Sequence, residues 1–187
     1  MVMFRLSPEE YEKRKRKILE RMHKRGLDII CLFSPTYIFY VSGSSFLQTE
    51  RIIALVINEN ETVMFLPRLE VEHFKEESTA IDRIVTYPDY PSKKHPMEYL
   101  KELILAMKPK IIGVDADGYE SEYGYFGPRL SEAIPNIKLE NIRYDVEKMT
   151  WVKSMEEIEL LKESAKWENL GMRLLQEYTK PGLSEVE

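Results

Sequence analysis

Residues 21–43 read RMHKRGLDIICLFSPTYIFYVSG, and the fold turns on how residues 29–33 are taken. Ile29, Ile30, Cys31, Leu32 and Phe33 are apolar without alternation, the pattern of a strand covered on both faces. Ser34-Pro35 ends the run. Upstream, Gly26 stands where a helix closes on a left-handed residue. That helix begins with Ser7 as N-cap, Pro8 at its first position and Glu10 completing a capping box, and Tyr11, Ile18, Leu19 and Met22 give it an apolar stripe.

Downstream, residues 37–41 fit either a strand or a short turn of helix, and Ser42-Gly43-Ser44-Ser45 is a loop. Residues 52–57 and 62–66 flank Asn58-Glu59-Asn60-Glu61 and predict a hairpin. Residues 69–77 read as helix, 84–87 as strand and 88–96 as a proline-rich loop. Apolar residues at 97, 100, 103, 104 and 107 predict an amphipathic helix stopped before Pro109. Residues 111–114 form a further buried strand with a turn at 115–118, residues 120–134 a weaker helix broken by Gly124 and Gly127-Pro128, and residues 137–142 a last strand. The expected fold class is α/β, a mixed β-sheet flanked by helices over residues 1–148, followed by a long linker helix.

That last segment, residues 149–187, has its own logic. Ser154 and Glu157 make a capping box, and two apolar stripes follow, one through 158, 161, 165, 172 and 175 and one through 160, 167, 174 and 178. Two stripes call for two packing partners. Pro181-Gly182 stops the helix, and Ser184, Glu185 and Glu187 resemble the opening of another, so the chain reads as the front end of a longer protein.

Composition removes several classes of function. The chain has 187 residues, and its longest apolar run is six residues, far below the ~20 that cross a bilayer, so no membrane partner is expected. The formal charge is -5, which gives no global attraction to nucleic acid. Lys13, Arg14, Lys15, Arg16 and Lys17 are the one basic run, but a helix spreads five consecutive residues around more than a turn, with Glu9, Glu10, Glu12 and Glu20 interleaved, so they read as solvated surface. Cys31 is the only cysteine, which excludes an internal disulfide and points to a reducing cytoplasm.

No catalytic residue emerges. Glu70-x-x-His73 has the spacing of carboxylate-bridged metal sites but lacks converging carboxylates, Asp115 and Asp117 beside Gly118 read as a turn, and His23 and His95 stand in no ligand set. No nucleophile elbow or phosphate loop is present, and a thiolate at Cys31 would sit inside an apolar strand. No metal site is expected in this chain. Tyr37, Phe39, Tyr40 and Phe46 crowd the Ser/Gly loop, either as core and edge packing or as a mobile loop that contacts a peptide or a neighbouring subunit.

Several segments, in order, resemble the N-terminal domain of the creatinase/prolidase/aminopeptidase P family of "pita-bread" metallopeptidases, which cleave Xaa-Pro bonds. Residues 21–33 look like its opening helix, Gly-Leu-Asp and first strand. Residues 34–43 (SPTYIFYVSG) are similar to its S-P-x-N-I-x-Y-L-x-G loop, with Tyr37 in place of the asparagine. Residues 111–115 (IIGVD) match its k-I-G-v-D strand, residues 152–161 (VKSMEEIELL) the start of its bridging helix, and residues 180–185 (KPGLSE) the motif that follows. The resemblance implies a ribonuclease H-like fold, and two divalent metal ions (Mn, Co or Zn) held by two Asp, one His and two Glu of a catalytic domain beyond residue 187. It also implies a homodimer acting on Xaa-Pro peptides, gated by residues 37–51 of this domain, with Tyr37, Tyr40, Ser44 and Arg51 as gating residues. The alternative is a non-catalytic peptide-binding module of the same fold, as in histone-chaperone relatives.

Overall fold

The computed structural model describes residues 5–77, 80–89, 93–118 and 124–184. It falls into two compact units, one comprising Pro8–Val152 and the other Met1–Ser7 with Lys153–Glu187.

The larger unit is built on a six-stranded sheet. Its strands are β1 (Ile29–Leu32), β2 (Ala54–Ile57), β3 (Thr62–Pro67), β4 (Arg83–Tyr87), β5 (Ile111–Val114) and β6 (Lys138–Asn141), in spatial order β4-β3-β2-β1-β5-β6. β2 is antiparallel to both neighbours and every other pairing is parallel. The expected fold class, a mixed sheet with flanking helices, is therefore the observed one.

The run without alternation at β1 has the cause expected of it, because the sheet is covered on both faces. Ile29, Cys31 and Phe33 pack with Ala54, Val56 and Phe65 under helix α4 (Pro96–Ala106) and the short α5 (Leu130–Ala133). Ile30 and Leu32 point the other way, with Leu55, Ile57, Met64 and Leu66, under α1 (Pro8–Arg25), α2 (Pro35–Ser42), α3 (Val71–Glu77) and α6 (Arg143–Trp151). Side chains of successive strand residues point to opposite faces, so one apolar run supplies both cores.

Helix α1 ends in a Schellman arrangement: Gly26 sits at φ 64°, its N–H donates to His23 O, and Leu27 N–H donates to Met22 O. Gly113 in β5 answers to a different need. A Cβ there would lie 2.6 Å from Leu27 Cδ1 and 3.1 Å from Ile142 Cγ2, so the missing side chain is what lets the segment after α1 close against the sheet.

Three expectations are corrected. Of the helix expected over 120–134, the described residues show only α5, Leu130–Ala133, with Gly124 at φ 92° and Gly127-Pro128 before it; residues 119–123 lie outside the described ones. Residues 143–151, for which no element was expected, form α6, which buries Val146 and Met149. Arg14 is not solvated helix surface: it is 3% exposed, beside the buried Glu10.

The second unit carries α7 (Met155–Tyr178), whose capping box is as expected, with Ser154 Oγ accepting the Glu157 N–H and the Glu157 carboxylate accepting the Ser154 N–H. Ser7 donates both its N–H and its hydroxyl to Glu156, each at 2.9 Å. No residue of α7 is buried. The further helix start expected after Pro181-Gly182 falls largely on residues 185–187, outside the described ones.

Candidate functional site

The strand directions gather the chemistry at one edge. β1, β3, β4, β5 and β6 all run the same way, so their carboxyl ends, together with the segment leading into β2, lie along one side of the sheet. The chain moves outward from β1 through β4 and then returns to β5 on the other flank. The carboxyl ends of β1 and β5 therefore mark the switch point where open α/β sheets offer a crevice.

Here that crevice is closed by Asp115. Its two carboxylate oxygens accept the N–H of Phe33 at 2.9 Å and of Ser34 at 2.8 Å, which ties the end of β1 and the start of α2 to the end of β5. Burial pushes its carboxyl above the usual range, while the N–H groups of Phe33, Ser34, Asp115 itself and Ala116 pull it back. Asp28 does the matching job at the opposite end of the same strand pair, where Oδ2 accepts the N–H of Lys110 and Ile111. Those two bonds, Ile111 first, hold its carboxyl below the usual range.

The other acids and imidazoles of the edge are similarly engaged. Asp117 accepts the N–H and hydroxyl of Ser131. His95 Nδ1 accepts the Met97 N–H at the start of α4, its ring lies edge-on to Tyr125, and burial holds its imidazole below the usual range, in the neutral form that an acceptor cap requires. His23 meets Glu59 at 2.6 Å, far from the rest. Among the described residues no group of three or more His, Cys, Asp or Glu is placed to hold a metal ion.

The four residues expected to gate access, Tyr37, Tyr40, Ser44 and Arg51, are placed as follows. Pro35 at the first position and Gly43 at φ 77°, donating to Phe39 O, delimit α2, so Tyr37 and Tyr40 lie on a helix. Both are 8% exposed and belong to the core, while Phe39 on the opposite side of α2 is half exposed. Tyr40 hydroxyl donates to Met149 O at 2.8 Å, and the Arg14 guanidinium lies over its ring at 4.1 Å. Ser44 is buried and donates its N–H to Ser42 Oγ. Arg51 is half-buried, 3.5 Å from Glu50 and 3.9 Å from Asp89.

The surface between Ser44 and Arg51 combines Ser45, Phe46 and His73, named from the sequence, with Leu47, Phe74 and Tyr87, which the sequence did not single out. Ser45 O accepts from His73 Nε2 at 2.8 Å; a carbonyl can only accept, so the imidazole is the donor. Phe46 packs on Phe74 with ring centroids 5.7 Å apart. At the other flank, Tyr87 hydroxyl donates to Ile52 O. Between them Leu47 stands 83% exposed. The Glu70-x-x-His73 spacing drew attention to His73, but Ser45 lies 28 positions away in the chain, and only the fold brings the two together.

Comparison with known proteins agrees with this architecture. A curated "uncharacterized hydrolase/peptidase" of Sinorhizobium fredii is 23% identical over the whole chain, which covers 50% of that protein. The chain spans about half the length, 50% and 43%, of the curated relatives it matches. Among solved structures, a proline dipeptidase from Streptococcus pneumoniae superposes with TM-score 0.61 at 22% identity, covering 75% of this chain and 98% of that one. An X-Pro aminopeptidase from Thermotoga maritima superposes with TM-score 0.70 at 18% identity, covering 92% of this chain and 45% of that one. At these identities the superpositions speak for the fold. Residues 14–152 match the family model for the creatinase/prolidase N-terminal domain, and the chain belongs to that family.

Proposed function

We propose that this chain is the non-catalytic N-terminal part of a cytoplasmic, metal-dependent Xaa-Pro peptidase, which pairs with a second copy and restricts access to the reaction centre through residues 43–53. One observation carries the reading. Among the described residues Asp115, Asp117 and His73 are occupied in holding Phe33, Ser34, Ser131 and Ser45, while a loop fastened at both flanks presents an apolar crest. Such a loop is suited to positioning and selecting a peptide.

The two divalent ions the family implies do not fit the donors described here. Both oxygens of Asp115 and both of Asp117 already accept hydrogen bonds, and His73 donates to a carbonyl. No step of the reaction is therefore assigned to these residues. Among the described residues no helix is long and apolar enough to cross a membrane.

Assayed alone with Mn or Co ions against Xaa-Pro dipeptides, the chain is expected to give no turnover above a metal-only blank, and turnover above that blank would overturn the reading. In the full-length protein, hydrolysis of the same dipeptides is expected. A full-length protein that binds peptides without cleaving them would favour the binding-module alternative.

A further inference from the structure

We propose that His73 is a positioning residue of the 43–53 loop, latching the Ser45 carbonyl so that Leu47 is held outward to meet the apolar side of a short peptide. The proposal rests on the gating reading for what Leu47 meets, but the latch itself stands on geometry.

The loop has two fastened flanks and an open crest. On the near flank three contacts succeed one another along the chain: Ser42 Oγ accepts the Ser44 N–H, Ser45 O accepts from His73, and Phe46 packs on Phe74. Adjacent residues of α3 thus hold adjacent residues of the loop, one by a hydrogen bond and one by ring packing. On the far flank Tyr87 holds Ile52 O, Arg51 lies between Glu50 and Asp89, and the Arg51 N–H donates to Thr49 Oγ1.

Leu47 lies between these flanks. A leucine on a loop free to rearrange would turn inward to bury its side chain. Here the preceding residue, Phe46, packs against the fully buried Phe74, and the His73 bond fixes the Ser45 carbonyl that leads into it. Leu47 is thus carried outward between two fastened flanks, where an apolar group of a bound peptide would cover it. A proline ring or an apolar side chain of a small substrate meets that requirement; a charged phosphate or polynucleotide does not.

Hydrogen exchange on this chain tests the latch, and kinetics on the full-length holoenzyme test what it serves. In His73→Ala the buried amide of Ser44, which donates to Ser42 Oγ one residue before the latched carbonyl, is expected to exchange about tenfold faster, the size of effect that loss of one local hydrogen bond produces, with the urea midpoint nearly unmoved. His73→Gln, which keeps an N–H donor, is expected to restore most of the protection. In the holoenzyme, His73→Ala and Leu47→Asp are each expected to raise KM for Xaa-Pro dipeptides several-fold with kcat little changed. Unaltered exchange in His73→Ala overturns the latch. Faster exchange with KM unchanged in both variants upholds the latch and overturns the gating role.

Discussion

Arg14→Ala is expected to lower folding stability by about 3–5 kcal/mol, the range seen when one partner of a buried ion pair is removed. The variant would leave Glu10, 6% exposed, with its carboxylate inside the fold and without the guanidinium whose Nε lies 3.3 Å from it. It would also remove the donor to Tyr40 O at 2.8 Å and the cation that lies over the rings of Tyr40, at 4.1 Å, and Tyr11, at 5.5 Å. Arg14→Lys is expected to recover little of this, because an ammonium cannot bond Glu10 and the carbonyl from one planar group while lying flat on a ring. The double variant Glu10→Leu with Arg14→Met is expected to regain most of the loss, since replacing both members with apolar groups removes the desolvation cost together with the pair. Urea unfolding followed by circular dichroism measures all three. A loss of under ~0.5 kcal/mol in Arg14→Ala would mean that the guanidinium behaves as surface after all.

Asp115→Ala is expected to be of similar size, about 3–5 kcal/mol, because two charge-assisted hydrogen bonds are lost and the N–H groups of Phe33 and Ser34 are left facing apolar space. Asp115→Asn should fall between it and wild type, as the amide keeps one acceptor but points N–H at N–H. The pH dependence separates this residue from Asp28. Burial raises the Asp115 carboxyl above its unfolded value, so the folded state binds the proton more readily and this group's contribution to stability grows as pH falls. Asp28 is held below its unfolded value by Ile111 and Lys110, so it stabilises above the ordinary carboxylate range and loses that contribution as pH falls through its depressed folded value. Asp115→Ala retains only the second behaviour. Its stability deficit relative to wild type is expected to widen between pH 6 and pH 4, and a deficit that narrows over this interval would refute the assignment.

The central strands were legible because covering a strand on both faces leaves a mark in the residues themselves: Ile29, Ile30, Cys31 and Leu32 are all fully or almost fully buried, and no polar residue interrupts them. Helix α6 was not, since Arg143–Trp151 combines Tyr, Asp, Val, Thr and Trp, which have no strong helix preference, and only Val146 and Met149 are buried. It forms because those two side chains complete the core beside α2, which no local pattern records. The same limit governed the candidate site. The crowding of aromatics around residues 37–46 drew attention to this loop, but helical rotation turns Tyr37 and Tyr40 inward and Phe39 outward, and the exposed Leu47 lies beyond α2. Arg14 was hidden in a run of basic residues because its burial depends on the carbonyl of Tyr40, 26 positions along the chain.

The sole sulfhydryl of the chain lies at the middle of β1, completely enclosed, and burial together with the negative charge of Asp115 pushes it well above its ordinary ionisation range. In the native protein it is shielded from both solvent and deprotonation, so an alkylating reagent can reach it only in molecules whose middle strands have parted. The domain thereby contains a built-in reporter: the pace at which iodoacetamide consumes Cys31 records how often the heart of the sheet comes undone, with no added label.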